Sequence, residues 1–463
     1  MKKGEKELSR RHSPCIRVDH ECALWNGGEE LEAALRSQLT IDNPKYTAAR
    51  QYGRWVGKKL QPRLVFYRDE QGGLFFPRGF ANQAVRLCRQ INGCEPLVED
   101  RRRRCDALEL EFQGTLRPYQ QKGVEQVLRH SFGVLEAATG SGKTIMALAL
   151  IAARQQPALV LVHSRELMYQ WQERIHAFLG VDAGQAGDGR VDLKPVTVAV
   201  VNTARKRVAE LSRHFGHVVV DECHRVPASL FTDVVAGLDS MYMLGLSATA
   251  FRREDGMTAV IYIYMGDLLH RVESEELEAS GAVLRPELIQ RPTSFRYGYR
   301  GQYARLIKAL ALNEERNRLI AADVRRLLAA GHQGTILVVS DRVAHCQELA
   351  RYIDEPALTA VLTGQQGTEE RTATVARVRN GEVRVLVATL QLIGEGFDCP
   401  GLSTLLLATP IKFEGRLLQV VGRILRPDSG KQARVYDYID EHIPVLRRSA
   451  KSREQLFARW RVR

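Results

Sequence analysis

From Leu116 onward, short apolar runs alternate with segments of helical period along the chain. The runs are Phe132-Gly-Val-Leu-Glu136, Ala158–Val162, Val196–Val201, His217–Val220 and Met241–Leu246. Short apolar runs without strict alternation suit strands covered on both faces, as in a parallel sheet. The stretch Thr144–Arg154 has the length and composition of a crossover helix. After a polar stretch around Arg291–Arg296 the pattern restarts with Thr335–Val339, Leu358–Leu362, Val383–Ala388 and Ser403–Leu407. The expected architecture is α/β, with two tandem parallel-sheet domains at 111–290 and 291–463 and a smaller α+β domain at 1–110. Within the leading domain, Pro62–Tyr67 and Gly73–Pro77 predict a hairpin turning at Arg68–Gly72. The run Arg101–Arg104 predicts a flexible, solvated joint.

Composition narrows the class. Of the 463 residues, 44% are hydrophobic and 26% charged, the balance of a globular protein. No apolar run approaches the about 18 residues that a membrane span needs. The start, Met1-Lys-Lys-Gly-Glu-Lys-Glu, lacks the apolar core of a signal peptide, so the expected location is the cytoplasm, on the nucleoid in a bacterial or phage setting. Lys and Arg total 67 against 54 acidic residues, a net charge of +13. Such a surplus points to a polyanionic partner, because phosphate contacts supply most sequence-independent nucleic-acid affinity. The eight cysteines form no Cys-x-x-Cys pair and read as reduced thiols. Neither Cys15/His20/Cys22 nor Cys88/Cys94/Cys105 matches a standard zinc spacing.

The chemistry concentrates in Ala137-Ala138-Thr139-Gly140-Ser141-Gly142-Lys143-Thr144, which stands between a predicted strand and a predicted helix. Glycines there permit positive φ and let backbone N–H groups approach one phosphate chain. Lys143 supplies charge to the outer phosphates, the Thr144 hydroxyl is a Mg²⁺ ligand, and the helix N-terminus adds its dipole. Asp221-Glu222 follows the apolar run Val218–Val220, so a strand would deliver both carboxylates to the ligand-binding edge of the sheet. Asp221 would serve Mg²⁺ and Glu222 the attacking water. Gln419-Val-Val-Gly422-Arg423-Ile-Leu-Arg426 places two arginines on one helix face, suited to charge developing on a transferred phosphoryl group.

Together these residues resemble superfamily 2 helicases and translocases of the DExH type, and the matches run in family order from Arg117 to Arg426. The resemblance implies two RecA-like domains binding ATP with Mg²⁺. It implies an adenine-reading role for Arg117 and Gln120 in Arg117-Pro-Tyr-Gln120, and nucleotide contacts from Thr139 to Thr144. His163-Ser-Arg-Glu-Leu167 and Val201-Asn-Thr-Ala204 are similar to motifs that touch the nucleic-acid backbone, which assigns Arg165 and Thr203. Ser340, Thr363 and Thr389 receive the same role in the second domain, and Gly396 and Asp398 in Gly394–Asp398 a nucleotide-sensing one. Gln419, Arg423 and Arg426 complete the catalytic set. Ser247-Ala-Thr249 is similar to the motif coupling hydrolysis to strand movement. Arg253-Glu254-Asp255 directly after it resembles the duplex-opening element of the xeroderma pigmentosum group B branch, which includes phage UvsW-like and D10-like enzymes. Asn43–Tyr46 and Phe76–Gly79 are similar to elements in the leading domain of such phage enzymes.

The expected function is ATP-dependent unwinding or remodelling of duplex, forked or branched DNA, with 3′-to-5′ polarity implied by the resemblance alone. Three alternatives stay open: an RNA helicase, an ATP-gated nucleic-acid clamp, and the motor subunit of a multi-protein defence or restriction system. Basic and aromatic residues of the leading domain, including Arg63 and Tyr67, are expected to meet DNA; the tail from Arg447 is expected to form an amphipathic helix with a wet basic face.

Overall fold

A computed structural model describes residues 13–51, 60–226, 229–248, 257–394, 401–412, 414–425 and 431–459. Arg253, Glu254, Asp255, Gly396, Asp398 and Arg426 lie outside the described residues, as does the aromatic and basic stretch 52–59. The chain divides into two compact units, Met1–Ala137 with Gly142–Val272, and Ala138–Ser141 with Glu273–Arg463. The change of unit after Val272 precedes the boundary read from the sequence. The strand Glu287–Pro292 accounts for the shift, because its alternating Glu-Leu-Ile-Gln-Arg-Pro pattern does not register as an apolar run, yet it joins the second sheet.

The leading sheet contains β1 (Cys15–Val18), β2 (Glu21–Trp25), β5 (Arg68–Glu70), β6 (Gly73–Pro77) and β7 (Leu97–Asp100), in the order β5-β6-β2-β1-β7. A second small sheet pairs β3 (Thr40–Asp42) with β4 (Arg63–Val65). The expected hairpin is therefore shifted. Its arms are β5 and β6, and the turn is Gln71-Gly72, with φ of +50° and +73°. Positive φ at both turn residues is what a type I′ two-residue hairpin requires, and it leaves Arg68–Glu70 free to pair.

The first large sheet runs through β8 (Phe132–Ala137), β9 (Ala158–Val162), β10 (Gly184–Gly187), β11 (Arg190–Asp192), β12 (Val196–Val200), β13 (His217–Val220), β14 (Tyr242–Ser247) and β15 (Leu268–Val272). Its order is β11-β10-β12-β9-β13-β14-β8-β15, and every neighbouring pair is parallel except β10 with β11. The second sheet, all parallel, takes β16 (Glu287–Pro292), β17 (Thr335–Ser340), β18 (Thr359–Leu362), β19 (Val385–Thr389), β20 (Leu402–Leu407) and β21 (Arg434–Ile439) in the order β16-β21-β20-β17-β19-β18. The central strands β8, β9, β12, β13, β17, β19 and β20 are buried along their whole length, as their unbroken apolar character requires.

The leading domain is fused to the first large sheet. One apolar cluster runs from Ile16, Leu24, Leu35 and Phe76 to Phe132, Val218, Met243 and Ile261. Arg78 is buried at the junction and donates to the carbonyls of Leu238 (3.3 Å) and Ser240 (2.7 Å). Burial pushes its pKa down to about 10. Beside it, a Cβ on Gly79 would stand 2.5 Å from the Tyr264 carbonyl carbon, so only glycine permits the approach. The expected flexible joint at Arg101–Arg104 is instead a docked strap. Arg102 pairs with Asp100 (2.7 Å) and donates to Ser131 Oγ (2.7 Å), while Arg103 pairs with Asp239 (3.0 Å). Fixed carboxylate and hydroxyl partners convert a run of charge into structure.

The C-terminal helix Pro444–Arg459 buries Leu446, Ala450, Leu456 and Phe457 and exposes Arg447, Arg448 and Lys451, the amphipathic arrangement expected. Arg453 departs from it: buried, it forks onto the Asp437 carboxylate at 2.9 and 2.8 Å.

Candidate nucleotide site

Three adjacent strands bring their C-terminal ends together. β14 lies between β13 and β8, so Asp221-Glu222, Ser247 and Ala137 arrive side by side at one edge of the sheet. The loop leaving β8 turns at Gly140 (φ +89°) and Gly142 (φ +82°), both in the region that disfavours a side chain. Gly142 caps the helix Lys143–Arg154, whose apolar residues Met146–Ala152 are buried and anchor it behind the loop. Lys143 Nζ donates to the Ala137 carbonyl at 2.9 Å.

Gln120 is buried on the helix Pro118–Leu128, and its Oε1 accepts the Arg117 backbone N–H at 2.9 Å. Its amide nitrogen sits where a Cβ on Gly142 would go. The glutamine therefore packs directly against the phosphate loop, and a larger residue than glycine at position 142 would displace it.

Asp221 and Glu222 have opposite electrostatics. Asp221 is buried; its Oδ2 accepts Trp171 Nε1–H at 2.9 Å, and its Oδ1 accepts the Glu222 N–H at 2.9 Å. Burial, then the Glu222 charge, raises its pKa above the usual carboxylate range, against the opposing Trp171 bond and Lys143 charge. For Glu222, burial pushes upward, but the His224 hydrogen bond and charge together with Lys143 outweigh it and hold the carboxyl low. His224 Nδ1 lies 3.1 Å from Glu222 Oε2 and 3.1 Å from Ser247 Oγ. One imidazole nitrogen thus stands within 3.1 Å of both the second carboxylate and the first residue of Ser247-Ala-Thr249, serving one or the other at a time. Glu222 itself adopts φ +51°, an uncommon backbone state for a non-glycine residue.

Sequence reasoning named Asp221 and Glu222 but not Trp171, nor the placement of His224. Trp171 lies 50 positions upstream of its partner, and only the packing of the helix Arg165–Leu179 on the sheet brings it there. A second unforeseen contact is Glu136, buried at the end of β8 and paired with Arg271 of β15 at 2.9 Å.

The remaining predicted residues are dispersed. In the first unit, Arg165 is exposed and pairs with Asp188 (2.6 Å), which also accepts from Tyr169 Oη (2.6 Å); Thr203 lies on the short helix Val201–Arg205. In the second unit, Gln419 lies on the helix Glu414–Val421 and Arg423 in the turn after it. Thr363 and Thr389 are nearly closed to solvent at the ends of β18 and β19. Ser340 ends β17. Fully buried, its hydroxyl lies 2.8 Å from His345 Nδ1 and accepts the Arg342 N–H at 3.2 Å. Both contacts fix the turn Asp341-Arg342 rather than face solvent. Among the described residues, no group of three or more His, Cys, Asp or Glu side chains forms a metal cage. A divalent ion held by one buried carboxylate and one hydroxyl beside substrate phosphates needs no such cage.

A phosphate loop after one parallel strand and an acidic pair after another, on a sheet followed by a second of like kind, define a RecA-like nucleotide-driven motor. Residues 113–252 match the family model of the type III restriction enzyme res subunit, and residues 320–428 that of the helicase conserved C-terminal domain. The DNA 3′-5′ translocase XPB2 of Sulfurisphaera tokodaii is 27% identical over 374 residues, 73% of this chain and 84% of that protein. A protein of Halobacterium salinarum assigned as the DNA 3′-5′ helicase Rad25 is 31% identical over 363 residues, 75% of this chain but 56% of its own length. Among solved structures, a fragment assigned as an HsdR subunit of a type I restriction enzyme from Vibrio vulnificus YJ016 aligns over 71% of this chain and 65% of its own, with 19% identity and a TM-score of 0.56, a likeness of fold. This chain thus carries a type III restriction res-subunit domain and a helicase C-terminal domain, and it has XPB- and Rad25-like helicase homologues, which makes it an enzyme of the ATP-dependent helicase class. Among its described residues, no helix is long and apolar enough to cross a membrane.

Proposed function

We propose that this chain is an ATP-driven DNA translocase or helicase that opens or remodels forked or branched duplexes, moving 3′ to 5′. The observation that carries the reading is the meeting of the phosphate loop, Asp221-Glu222 and Ser247 on three neighbouring strand ends, with His224 within reach of both Glu222 and Ser247. Positive-φ glycines, a helix N-terminus and Lys143 suit a triphosphate chain. Thr144 and Asp221 would hold Mg²⁺, which neutralises phosphate charge when bound.

The rest falls to the chain's own groups. Glu222, kept ionised by His224 and Lys143, orients and deprotonates the water that attacks the γ-phosphorus as the bond to the ADP oxygen breaks. The family resemblance gives Arg423, Arg426 and Gln419 the role of stabilising the charge that spreads over the transferred group. Arg117 and Gln120 select adenine. Loss of the γ-phosphate alters the charge facing Glu222, and His224 transmits the change to Ser247 and the segment after it. Arg165, Thr203, Thr363 and Thr389 follow the nucleic-acid backbone. DNA is favoured over RNA by the names of the XPB2 and Rad25 relatives, against one relative named an ATP-dependent RNA helicase, and by the Arg253–Asp255 triplet.

Glu222→Gln tests the motor against an ATP-gated clamp. Expected is a loss of turnover of about 100-fold or more, with ATP-dependent DNA binding retained. A variant that keeps full cellular or in-vitro function without turnover would establish the clamp instead.

A further inference from the structure

The second unit carries a strip that no helicase motif covers. Residues 291–303, Arg-Pro-Thr-Ser-Phe-Arg-Tyr-Gly-Tyr-Arg-Gly-Gln-Tyr, hold four aromatics and three arginines and no carboxylate. Beyond Pro292, where β16 ends, the segment runs without helix or strand to Tyr303. Phe295 is buried among Leu306, Leu310, Ile443 and Leu446, with Tyr299 and Tyr303 packed against the same cluster. The segment is therefore pinned at Phe295, Tyr299 and Tyr303. Tyr297 is not buried: it is 37% exposed, and its ring lies nearly parallel to Phe295, with centroids 6.4 Å apart and planes 17° apart. An exposed aromatic face backed by a buried ring is held ready to stack.

The cations of the strip differ from most arginines on this surface. Arg318 pairs with Glu314 (2.7 Å), Arg351 with Glu348 (2.6 Å) and Arg434 with Glu287 (3.2 Å). Within the segment, Arg291 pairs with Asp323 (2.9 Å). Arg296 and Arg300 are exposed, and among the described residues neither has a carboxylate partner. Glu315 is engaged otherwise, accepting from Ser294 Oγ at 2.6 Å. Lys412, from another part of the unit, brings its Nζ to 3.3 Å from the centre of the Tyr303 ring, adding a third cation at the end of the strip.

We propose that this strip binds an unpaired polynucleotide strand, with a base stacked on Tyr297 and phosphates on Arg296, Arg300 and Lys412. Interleaved aromatic faces and unpaired cations are the chemistry that grips single strands with little regard to sequence. The inference rests on the nucleic-acid motor reading and deepens it: the second unit would hold the unpaired strand at residues outside the motifs matched in the sequence.

Binding of fluorescent dT and rU oligonucleotides and of a blunt DNA duplex, over a salt series, tests this in the full chain. Tyr297→Ala should weaken oligonucleotide binding about tenfold, in line with the loss of one stacked base, and Tyr297→Phe should restore it. The double variant Arg296→Ala/Arg300→Ala should reduce the slope of log affinity against log salt by about 1.4, two single-strand phosphates. Losses confined to dT assign the strip to DNA, and equal losses on rU assign it to either sugar. Wild-type affinity in Tyr297→Ala with an unchanged melting temperature would overturn the strip. Failure of the wild-type chain to bind any of the three ligands would instead overturn the motor reading beneath it.

Discussion

Asp221 and Glu222 share a backbone amide, yet one is raised and the other lowered in pKa, and the difference lies in their partners. Asp221 has a neutral donor, Trp171, and a like charge beside it; Glu222 has an imidazole. The sign follows for pH. Burial raises the folded-state pKa of Asp221, so its contribution to stability is present below the ordinary carboxylate range and lost as pH rises through the folded value. Acidification through the raised folded value should therefore extinguish activity, by protonating the metal ligand, while Asp221 adds to stability rather than costing it. The acid limb of the ATPase profile should move to lower pH as Mg²⁺ is raised, because metal competes with the proton. An acid limb indifferent to Mg²⁺ would remove Asp221 from the metal site. Trp171→Phe removes a donor worth about 1.5–3 kcal/mol to a charged acceptor. ATPase should fall about tenfold and the acid limb should move to higher pH; a fall with no movement of the limb would mean that only packing was lost. Neither the Trp171 nor the His224 contact was legible in the sequence, since each depends on tertiary placement of side chains that carry no motif by themselves. The glycines, Lys143 and the acidic pair were legible because phosphate chemistry fixes their spacing.

Among the elements, strands that read as continuous apolar runs were recognised, the edge strand β18 included, and strands of mixed polarity were not. β8, β9, β12, β13, β17, β19 and β20 announce themselves as continuous apolar runs. The edge strands β16, β15 and β11 carry charged residues and escape the pattern, the internal β10 is Gly-Gln-Ala-Gly, and β21 mixes Arg, Tyr and Asp with Val and Ile. The strap at Arg101–Arg104 was missed for a related reason: a charged run looks solvated until its partners, Asp100 and Asp239, are placed. The junction of the leading domain is tested at Gly79. Gly79→Ala must push the backbone off Tyr264 and Gly266, at a cost of about 2 kcal/mol, and should lower the first unfolding transition by a few degrees in calorimetry. An unchanged transition would mean that the leading domain is not locked to the first large sheet.

For the whole molecule, the net charge of +13, the two matched helicase domains and the shared strand edge point to a motor on nucleic acid. Because Arg78, the strap and one apolar cluster join the leading domain to the first sheet, we propose that it moves with the ATP-binding unit and presents DNA to it. Steady-state ATPase activity measures the central claim most directly, without nucleic acid and with single-stranded DNA, a fork, a four-way junction and RNA, beside Lys143→Ala as a dead control. The account predicts a rate low without nucleic acid, raised by DNA more than by RNA, and highest on forks or junctions. A rate that no nucleic acid raises above the DNA-free value would contradict it.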